Sequence, residues 1–247
     1  MMTLIFSFIF GAIVGSFLNV CIHRLPAHQS VVVPSSHCPF CKQPIAFYDN
    51  IPILSFILLR GKCRACKASI SYQYPLVECL SGFLSLILMQ KCGLDLIYLV
   101  YFIFGAALLV VTFIDLRHQI IPDRISLPGI ALGLLTSIFL PNLTFLDSLI
   151  GIAAGGGSLL LVAGGYYLLT KKEGMGLGDV KLLAMMGAFL GWKSILFIIM
   201  VGSFSGALVG ITLMLIKKKD RKYAIPFGPF LSLGALCYLL YLSLIHI

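Results

Sequence analysis

Long apolar runs recur along this chain, and they limit its fold more than any other feature. An α-helix needs roughly 20 apolar residues to cross a bilayer, and fewer where neighbouring helices thin the membrane. The 247 residues are 60% hydrophobic and 11% charged, with a mean hydropathy of +1.04. Soluble domains do not have this composition. The sequence therefore predicts an all-α polytopic membrane protein embedded in a lipid bilayer.

About eight transmembrane helices are predicted, and the second and sixth are short. They cover residues 2–20, 76–90, 97–114, 125–140, 148–170, 180–191, 194–216 and 227–244. A polar segment separates the first from the second. We therefore expect three parts, namely a first transmembrane helix at 1–22, a cytoplasmic segment at 23–75 and a transmembrane helical bundle at 76–247.

The basic residues predict the orientation, because cytoplasmic loops collect Lys and Arg. If eight spans alternate and both termini lie outside, only Lys91 and Lys193 of the 18 basic residues fall outside. No basic residue precedes the first apolar run, and His23 and Arg24 follow it, which argues against a cleaved signal peptide. The net charge of +9 fits loops that face an anionic leaflet, so no nucleic-acid partner is predicted.

Two CxxC pairs lie in the polar segment, "CPFC" at Cys38 and Cys41 and "CRAC" at Cys63 and Cys66. Pairs at this separation can place four thiolates around a zinc ion. Two disulfides or a redox CxxC are the alternatives. Zinc is favoured because the charge pattern places the segment in a reducing cytosol, where structural disulfides do not persist.

The predicted zinc has a structural role. A segment of about 50 residues buries little core, so a metal contributes folding free energy directly. This predicts a small zinc-ribbon-like cytoplasmic insertion after the first helix. His37 adjoins Cys38 and is a competing ligand, although four cysteines already complete a site. The remaining cysteines lie in or beside the spans and are interpreted as small apolar side chains rather than as ligands. They are Cys21, Cys79, Cys92 and Cys237.

Two aspartates lie where an apolar run meets a cytoplasmic loop. Asp115 ends the third span in "TFIDLRHQIIPD", and Asp179 begins the sixth in "GLGDVKLL". Alternation of the spans places both at one membrane face. An ionisable residue at the border of a span is a candidate functional group. The alternative is that each faces water or pairs with a nearby cation, for which the candidates are Arg117, Arg124 and Lys181.

Two facing aspartates support one specific chemistry. Held a few ångströms apart, two carboxylates do not both ionise easily, so they share a proton and act as general base and general acid in peptide hydrolysis. Such a dyad titrates as a pair. Asp123, in "IPD", is a third candidate, but its position predicts a helix start, where an aspartate caps free backbone amides.

Alternating glycines precede Asp179 at Gly174, Gly176 and Gly178. A phosphate-binding loop is disfavoured because no β-strand precedes them and the spacing is not GxGxxG. We expect instead that the glycines adopt positive φ and let another backbone lie close. The small residues of "GIAAGGGSLLLVAGG", at 151–165, predict close helix packing.

Taken together, these motifs resemble those of the type IV prepilin peptidases, GxGD-type membrane aspartyl proteases that also N-methylate the new N-terminus. The resemblance extends over nearly the whole chain, and motif order and spacing agree. It rests on the two CxxC pairs and on "GSFLNVCIHRLP" (15–26), "DNIPILSFILLRGKCRACKASISYQYPLVE" (49–78), "FIDLRHQIIPDRISLP" (113–128) and "GMGLGDVK" (174–181).

The resemblance implies an enzyme of the bacterial cytoplasmic (inner) membrane whose catalytic pair is Asp115 and Asp179. Its substrates are prepilins or pseudopilins of pilus, secretion or DNA-uptake systems, cut at the cytoplasmic face after the glycine that ends a short basic leader. It also implies S-adenosylmethionine as methyl donor. The resemblance also places the methyl-transfer region within 49–78, with Asp49, Asn50 and Glu78 as candidates.

Two other classes of protein remain. A transporter or channel would use boundary aspartates to bind protons or cations, but transporters commonly show internal repeats and broken helices near the midplane. The sequence has no clear repeat, and the aspartates lie at a membrane edge. A zinc-ribbon membrane anchor that recruits a partner accounts for the cysteines and leaves both aspartates unexplained.

Overall fold

The structure is a computed structural model that describes residues 2–141, 143–171, 176–217 and 226–243. Within these ranges the chain is helical and has no β-strand, only two isolated bridges, which confirms the all-α prediction. The helices are α1 Met2–Arg24, the short α2 Leu54–Leu58, α3 Gln73–Cys92, α4 Leu96–His118, α5 Asp123–Thr136, α6 Phe145–Thr170, α7 Leu177–Leu190, α8 Lys193–Lys217 and α9 Gly228–Cys237. A 3-10 turn covers Phe47–Asn50, and a π-helical turn, Tyr238–Ser243, follows α9.

Each of the eight predicted spans coincides with one of these helices. Among the described residues, five helices are long and apolar enough to cross a membrane, namely α1, α3, α4, α6 and α8. The prediction that the second span is short is wrong, because α3 begins at Gln73 rather than Leu76 and has 20 residues. The shorter helices are α5 and α7, with 14 residues each, and α9, with 10.

The chain forms two compact units, residues 1–110 and 111–247. In the first unit, α1 packs along α3 at Gly11 and Gly15. A Cβ added at Gly15 would lie 2.7 Å from Glu78 Cα. A buried hydroxyl network links three helices, because Ser85 Oγ lies 2.7 Å from Ser7 Oγ and 2.8 Å from the Tyr98 hydroxyl. Such bonds satisfy polar groups that lipid cannot solvate.

In the second unit, α7 is the central helix. Its side chains from Leu182 to Leu190 are all buried, because α5 and α6 both pack against it. Gly151 of α6 and Gly187 of α7 bring the two backbones into direct contact, and an added Cβ on either would overlap backbone atoms of the other. The predicted close packing of the 151–165 glycines therefore applies to Gly151 and also to Gly155, which approaches Leu183.

The contact between α6 and α7 generates a prediction about stability. We expect Gly187→Ala to lower the melting temperature of the detergent-purified protein, because the new methyl group overlaps the Gly151 backbone. Overpacking of this kind costs about 1–3 kcal/mol. The measurement is a thermal unfolding curve.

Gly157→Ala is the matched control, because nothing lies within 4 Å of an added Cβ at Gly157 on α6. Alanine is the better helix former by about 1 kcal/mol, so this variant should be at least as stable as the parent. Equal losses in the two variants would contradict the proposed packing.

Candidate active site and metal site

Asp115 lies in the last turn of α4 and is buried, with 4% of its surface exposed. Its Oδ2 accepts a hydrogen bond of 2.9 Å from the backbone N–H of Gly228. Gly228 is the first residue of α9, and the first N–H groups of a helix have no partner within the helix. The start of α9 therefore supplies the donor that a buried carboxylate requires.

Asp179 lies in the first turn of α7 and is half-buried. Its surroundings adjoin those of Asp115. Ile121, in the turn between α4 and α5, contacts the neighbourhood of both. A Cβ added at Gly178 would lie 3.0 Å from Ile121 Cβ, and one added at Gly228 would lie 3.3 Å from Ile121 Cδ1. The tertiary structure thus brings the two predicted aspartates together.

The glycines before Asp179 behave differently from the prediction. Gly176 has φ −75° and precedes α7, and Gly178 is helical, so the expected positive φ is wrong for both. Among the described residues, only Gly61, Gly93 and Gly191 are glycines with positive φ. Gly178 instead provides room, because a side chain there would press on Ile121. Gly174 lies outside the described residues.

Asp123 was predicted to cap a helix, and the structure shows another partner. It is the first residue of α5, and Pro122 at the N-cap makes no side-chain capping bond. Both Asp123 carboxylate oxygens accept hydrogen bonds of 2.8 Å from Lys181 Nζ. Lys181 is therefore paired with Asp123 rather than with Asp115 or Asp179.

The other nearby cations do not neutralise the two aspartates either. Neither Arg117 nor Arg124 forms an ion pair with any residue that the structure describes. The alternative in which Asp115 and Asp179 are ordinary halves of ion pairs is thus not supported.

Gly228 is the residue of this site that sequence reasoning missed. The local signal is present, since "FGPF" at 227–230 places a proline next to a glycine at a helix start, which is a common position for proline. The sequence does not identify Asp115 as the acceptor of the Gly228 N–H, because the two residues are far apart along the chain.

The four cysteines predicted as zinc ligands form one cluster. The sulfurs of Cys38, Cys41, Cys63 and Cys66 all lie within 4.8 Å of one another, and Cys38 Sγ is 3.8 Å from Cys66 Sγ. Zinc–sulfur bonds of about 2.3 Å in a tetrahedron place the sulfurs about 3.8 Å apart. All four thiols are free. The residues present therefore fit a tetrahedral zinc ion better than the alternative of two disulfides.

Two equivalent backbone turns present these thiols. The N–H of Cys38 donates to Gln43 O while Lys42 N–H donates to Cys38 O. The second turn repeats this pattern, with Cys63 N–H donating to Ala68 O and Lys67 N–H donating to Cys63 O. The repetition indicates two matching knuckles, each of which presents one CxxC pair.

The first knuckle also favours the metal-binding form of its thiol. Backbone N–H groups of Cys41 and Phe40 lower the pKa of Cys38 to about 6, which favours the thiolate that metals bind. His37 is not part of the sulfur cluster. Its Nδ1 lies 3.0 Å from Ser35 O.

The methyl-transfer candidates Asp49, Asn50 and Glu78 all belong to the first unit. Arg64 donates two hydrogen bonds, of 2.8 and 2.6 Å, to the Asp49 carboxylate, and these hold the pKa of Asp49 below its usual value. Glu78 is buried on α3 and accepts a hydrogen bond of 2.8 Å from the Ile53 N–H. Asp49 is thus paired with Arg64, while Glu78 supports the loop that follows Asn50.

Comparison with known proteins identifies the family. Residues 9–92 match the model of the bacterial peptidase A24 N-terminal domain, and residues 102–211 match that of the type IV leader peptidase family. The chain belongs to this family, as the resemblance indicated.

Curated relatives match over most of the chain, and several are named prepilin leader peptidase/N-methyltransferase. The relative from Aeromonas hydrophila is 38% identical over 95% of this chain and 89% of its own length. Those from Stutzerimonas stutzeri and Pseudomonas aeruginosa are 37% and 35% identical, each over 94% of this chain and over 89% and 88% of their own lengths. No solved structure matches the chain.

The sulfur cluster generates a prediction about metal content. We expect about one zinc ion per purified chain, and Cys63→Ser should lower this content and the protein's abundance, since the fourth thiolate is lost and the metal supports the fold. Elemental analysis measures the zinc. Cys92→Ser, outside the cluster, is the control and should retain it. Unchanged zinc in the Cys63 variant would exclude the site.

Proposed function

We propose that this chain is an intramembrane aspartyl endopeptidase that removes the leader of type IV prepilins or pseudopilins and methylates the new N-terminus. Family membership and the named relatives support this function. The observation that carries the peptidase assignment is the convergence of Asp115 and Asp179, which come from different helices and have no cationic partner among the described side chains.

Asp115 and Asp179 perform the hydrolysis together. Two close carboxyl groups hold one proton between them. The ionised carboxylate takes a proton from water as the water oxygen bonds to the scissile carbonyl carbon, while the protonated carboxyl gives its proton to the carbonyl oxygen as the C=O π bond opens. The carboxyl that took the proton from water then gives it to the leaving nitrogen, the C–N bond breaks, and the C=O bond re-forms as its oxygen returns the other proton to the second carboxylate. The Gly228 N–H keeps the Asp115 carboxyl oriented during these transfers.

The charge pattern supports a cytoplasmic location for this site. If the basic loops lie on the cytoplasmic side of the membrane, both termini lie on the opposite side. The ends of α4 and α7 that carry the aspartates then face the cytoplasm. The basic leader of a prepilin remains on that side by the same rule, so we propose that cleavage follows the glycine that ends the leader.

The second activity requires a methyl donor, for which we propose S-adenosylmethionine. The neutral amine of the new N-terminus takes the methyl group from the sulfonium, so that an N–C bond forms, the C–S electron pair stays on sulfur and the nitrogen releases a proton to water. Cys38, Cys41, Cys63 and Cys66 would hold zinc in a structural role and so keep the 23–75 segment folded.

The transporter alternative is not favoured. Its aspartates would bind ions near the membrane midplane, whereas Asp115 lies at the end of α4 and Asp179 at the start of α7. The family match also concerns a peptidase.

The dyad is tested by coexpressing the protein with a prepilin and following leader removal on a gel. Asp115→Asn and Asp179→Asn should each lower cleavage by about 10²- to 10⁴-fold, the range for loss of general acid–base catalysis. Asp95→Asn is the control, because Asp95 lies in a loop of the first unit, where its carboxylate accepts a hydrogen bond from the neighbouring Leu96 N–H. Normal cleavage by Asp115→Asn or by Asp179→Asn, at normal protein levels, would reject the dyad.

The role of Gly228 is tested with Gly228→Ala. The added Cβ would lie 2.7 Å from Asp115 Oδ2, so the carboxyl must move away from its donor. We expect kcat for leader cleavage to fall by at least about tenfold, since small displacements of catalytic groups are costly, while KM changes little. Gly164→Ala is the control, with nothing within 4 Å of its added Cβ. An unchanged kcat would show that the Asp115–Gly228 bond is not required.

A further inference from the structure

Segments that carry the proposed active site meet at one side chain, that of Ile121. This residue lies in the turn between α4, which carries Asp115, and α5. A Cβ added at Gly178, the residue before Asp179, would lie 3.0 Å from Ile121 Cβ and 3.5 Å from its Cγ1. One added at Gly228, the donor to Asp115, would lie 3.3 Å from Ile121 Cδ1. Ile121 therefore lies against the start of α7 and the start of α9 at once.

The fit around Ile121 leaves its neighbours little room to move. Both neighbours are glycines, so the isoleucine packs directly on backbone. A side chain branched at Cβ is stiff about χ1, and a close-packed interior transmits a displacement rather than absorbing it. A change in the size or position of the Ile121 side chain should therefore move Gly178, Gly228 or both.

The turn that carries Ile121 is bonded to the helices on either side of it. On the α4 side, the Gln119 N–H donates a hydrogen bond of 2.9 Å to Asp115 O. On the α5 side, Pro122 O accepts a hydrogen bond of 3.2 Å from the N–H of Ser126, a residue with no exposed surface. The position of the turn thus depends on where the start of α5 is held.

An ion pair holds the start of α5 against the start of α7. Lys181 Nζ donates hydrogen bonds of 2.8 Å to both carboxylate oxygens of Asp123. Asp123 follows Ile121 by two residues. Lys181 follows Asp179 by two residues. Both charged side chains are partly exposed, and because exposed pairs contribute little to overall stability, the effect of this pair should be local to the site.

We propose that Ile121 is a positioning residue for the two aspartates and that the ion pair between Asp123 and Lys181 holds it in place. Ile121 sets the distance between the start of α7, which carries Asp179, and the start of α9, whose first N–H orients Asp115. Neither Ile121 nor the ion pair transfers a proton, since both act through the aspartates. The inference rests on the peptidase function proposed above and adds the residues that set its geometry.

Two other roles for these residues predict different results. A freed Lys181 that acted on Asp179 by its charge would impair Asp123→Asn but not the variant in which the lysine is also removed. An Ile121 that contacted the substrate would change KM rather than kcat.

The first test compares kcat and KM for leader cleavage by the full-length protein in nanodiscs. Ile121→Ala should lower kcat by at least about tenfold, since small displacements of catalytic groups are costly, while KM changes by less than about twofold. Ile121→Leu conserves side-chain volume and should retain at least about a third of the parental kcat. Ile120→Ala makes the same change one residue away, at a side chain that is 46% exposed, and should cleave as the parent does.

Thermal unfolding of the same variants separates positioning from folding. Ile121 is half-buried, so Ile121→Ala should lower the melting temperature by no more than about 4 °C. A parental kcat in Ile121→Ala, or an effect on KM alone, would overturn the positioning role. So would a loss of kcat in Ile121→Leu as large as that in Ile121→Ala, at an unchanged melting temperature.

The second test removes the ion pair. Lys181→Met and Asp123→Asn should each lower kcat by about three- to tenfold, and the double variant should lose no more than either single variant, because the two residues act through one contact. Lys181→Arg keeps a cation that bonds both oxygens of a carboxylate and should restore kcat. Lys193→Met, beyond the far end of α7, is the control and should cleave as the parent does.

The double variant decides between the possible roles of the pair. Additive losses would show that Asp123 and Lys181 act separately. A double variant more active than Asp123→Asn would show that the freed lysine acts by its charge. Either result would overturn the proposed holding of Ile121.

The outcomes also separate this inference from the function on which it rests. If Asp115→Asn or Asp179→Asn cleaves prepilin normally, the aspartyl peptidase assignment fails, and the positioning role fails with it. If both aspartate variants are inactive while Ile121→Ala and Lys181→Met have the parental kcat, the function stands and only the positioning role is overturned.

Discussion

A carboxyl group buried at the end of an apolar helix must find a hydrogen-bond donor, and the second unit meets this requirement for Asp115. The donor is the Gly228 N–H, which is free because it begins α9. The interaction joins the end of α4 to the start of α9, while Ile121 fills the space beside Gly178 and Gly228. The site therefore depends on positions without side chains as much as on the two acids.

In the described part of the same unit, the lysine nearest to Asp179 in sequence pairs with another acid. Lys181 is two residues from Asp179, yet it pairs with Asp123 at the start of α5. A lysine beside the acids would hold both ionised and remove the proton that they must share. The ion pair between Lys181 and Asp123 thus supports the chemistry proposed for Asp115 and Asp179.

The first unit solves a different problem, which is how to order a polar segment too small to bury a core. Matching knuckles present four thiols in a geometry that suits zinc, the Asp49–Arg64 pair fixes the loop between them, and Arg24 ties the 30–34 loop to α1. These contacts together order the segment without a large apolar core.

The membrane helices, the cysteine cluster and the two acids could be predicted from the sequence, because each depends on residues close together in the chain. Apolar runs specify membrane helices because each run must satisfy its own backbone, and CxxC pairs specify a metal site because spacing alone sets two ligands at once. Position at a span border marked Asp115 and Asp179 as candidates. The expectation of positive φ for Gly176 and Gly178 failed because a glycine can also be selected for the space it leaves, which depends on its neighbour Ile121.

The sequence by itself therefore determined the all-helical membrane class, the four cysteines that form one cluster and the two candidate acids. Only the tertiary structure decided that Gly228 is the donor to Asp115, that Lys181 belongs to Asp123, and that Ile121 lies against both Gly178 and Gly228. Each of these depends on a contact between segments distant in the chain. Helical periodicity and local spacing carry no information about which distant segments meet, because packing of the whole unit selects them.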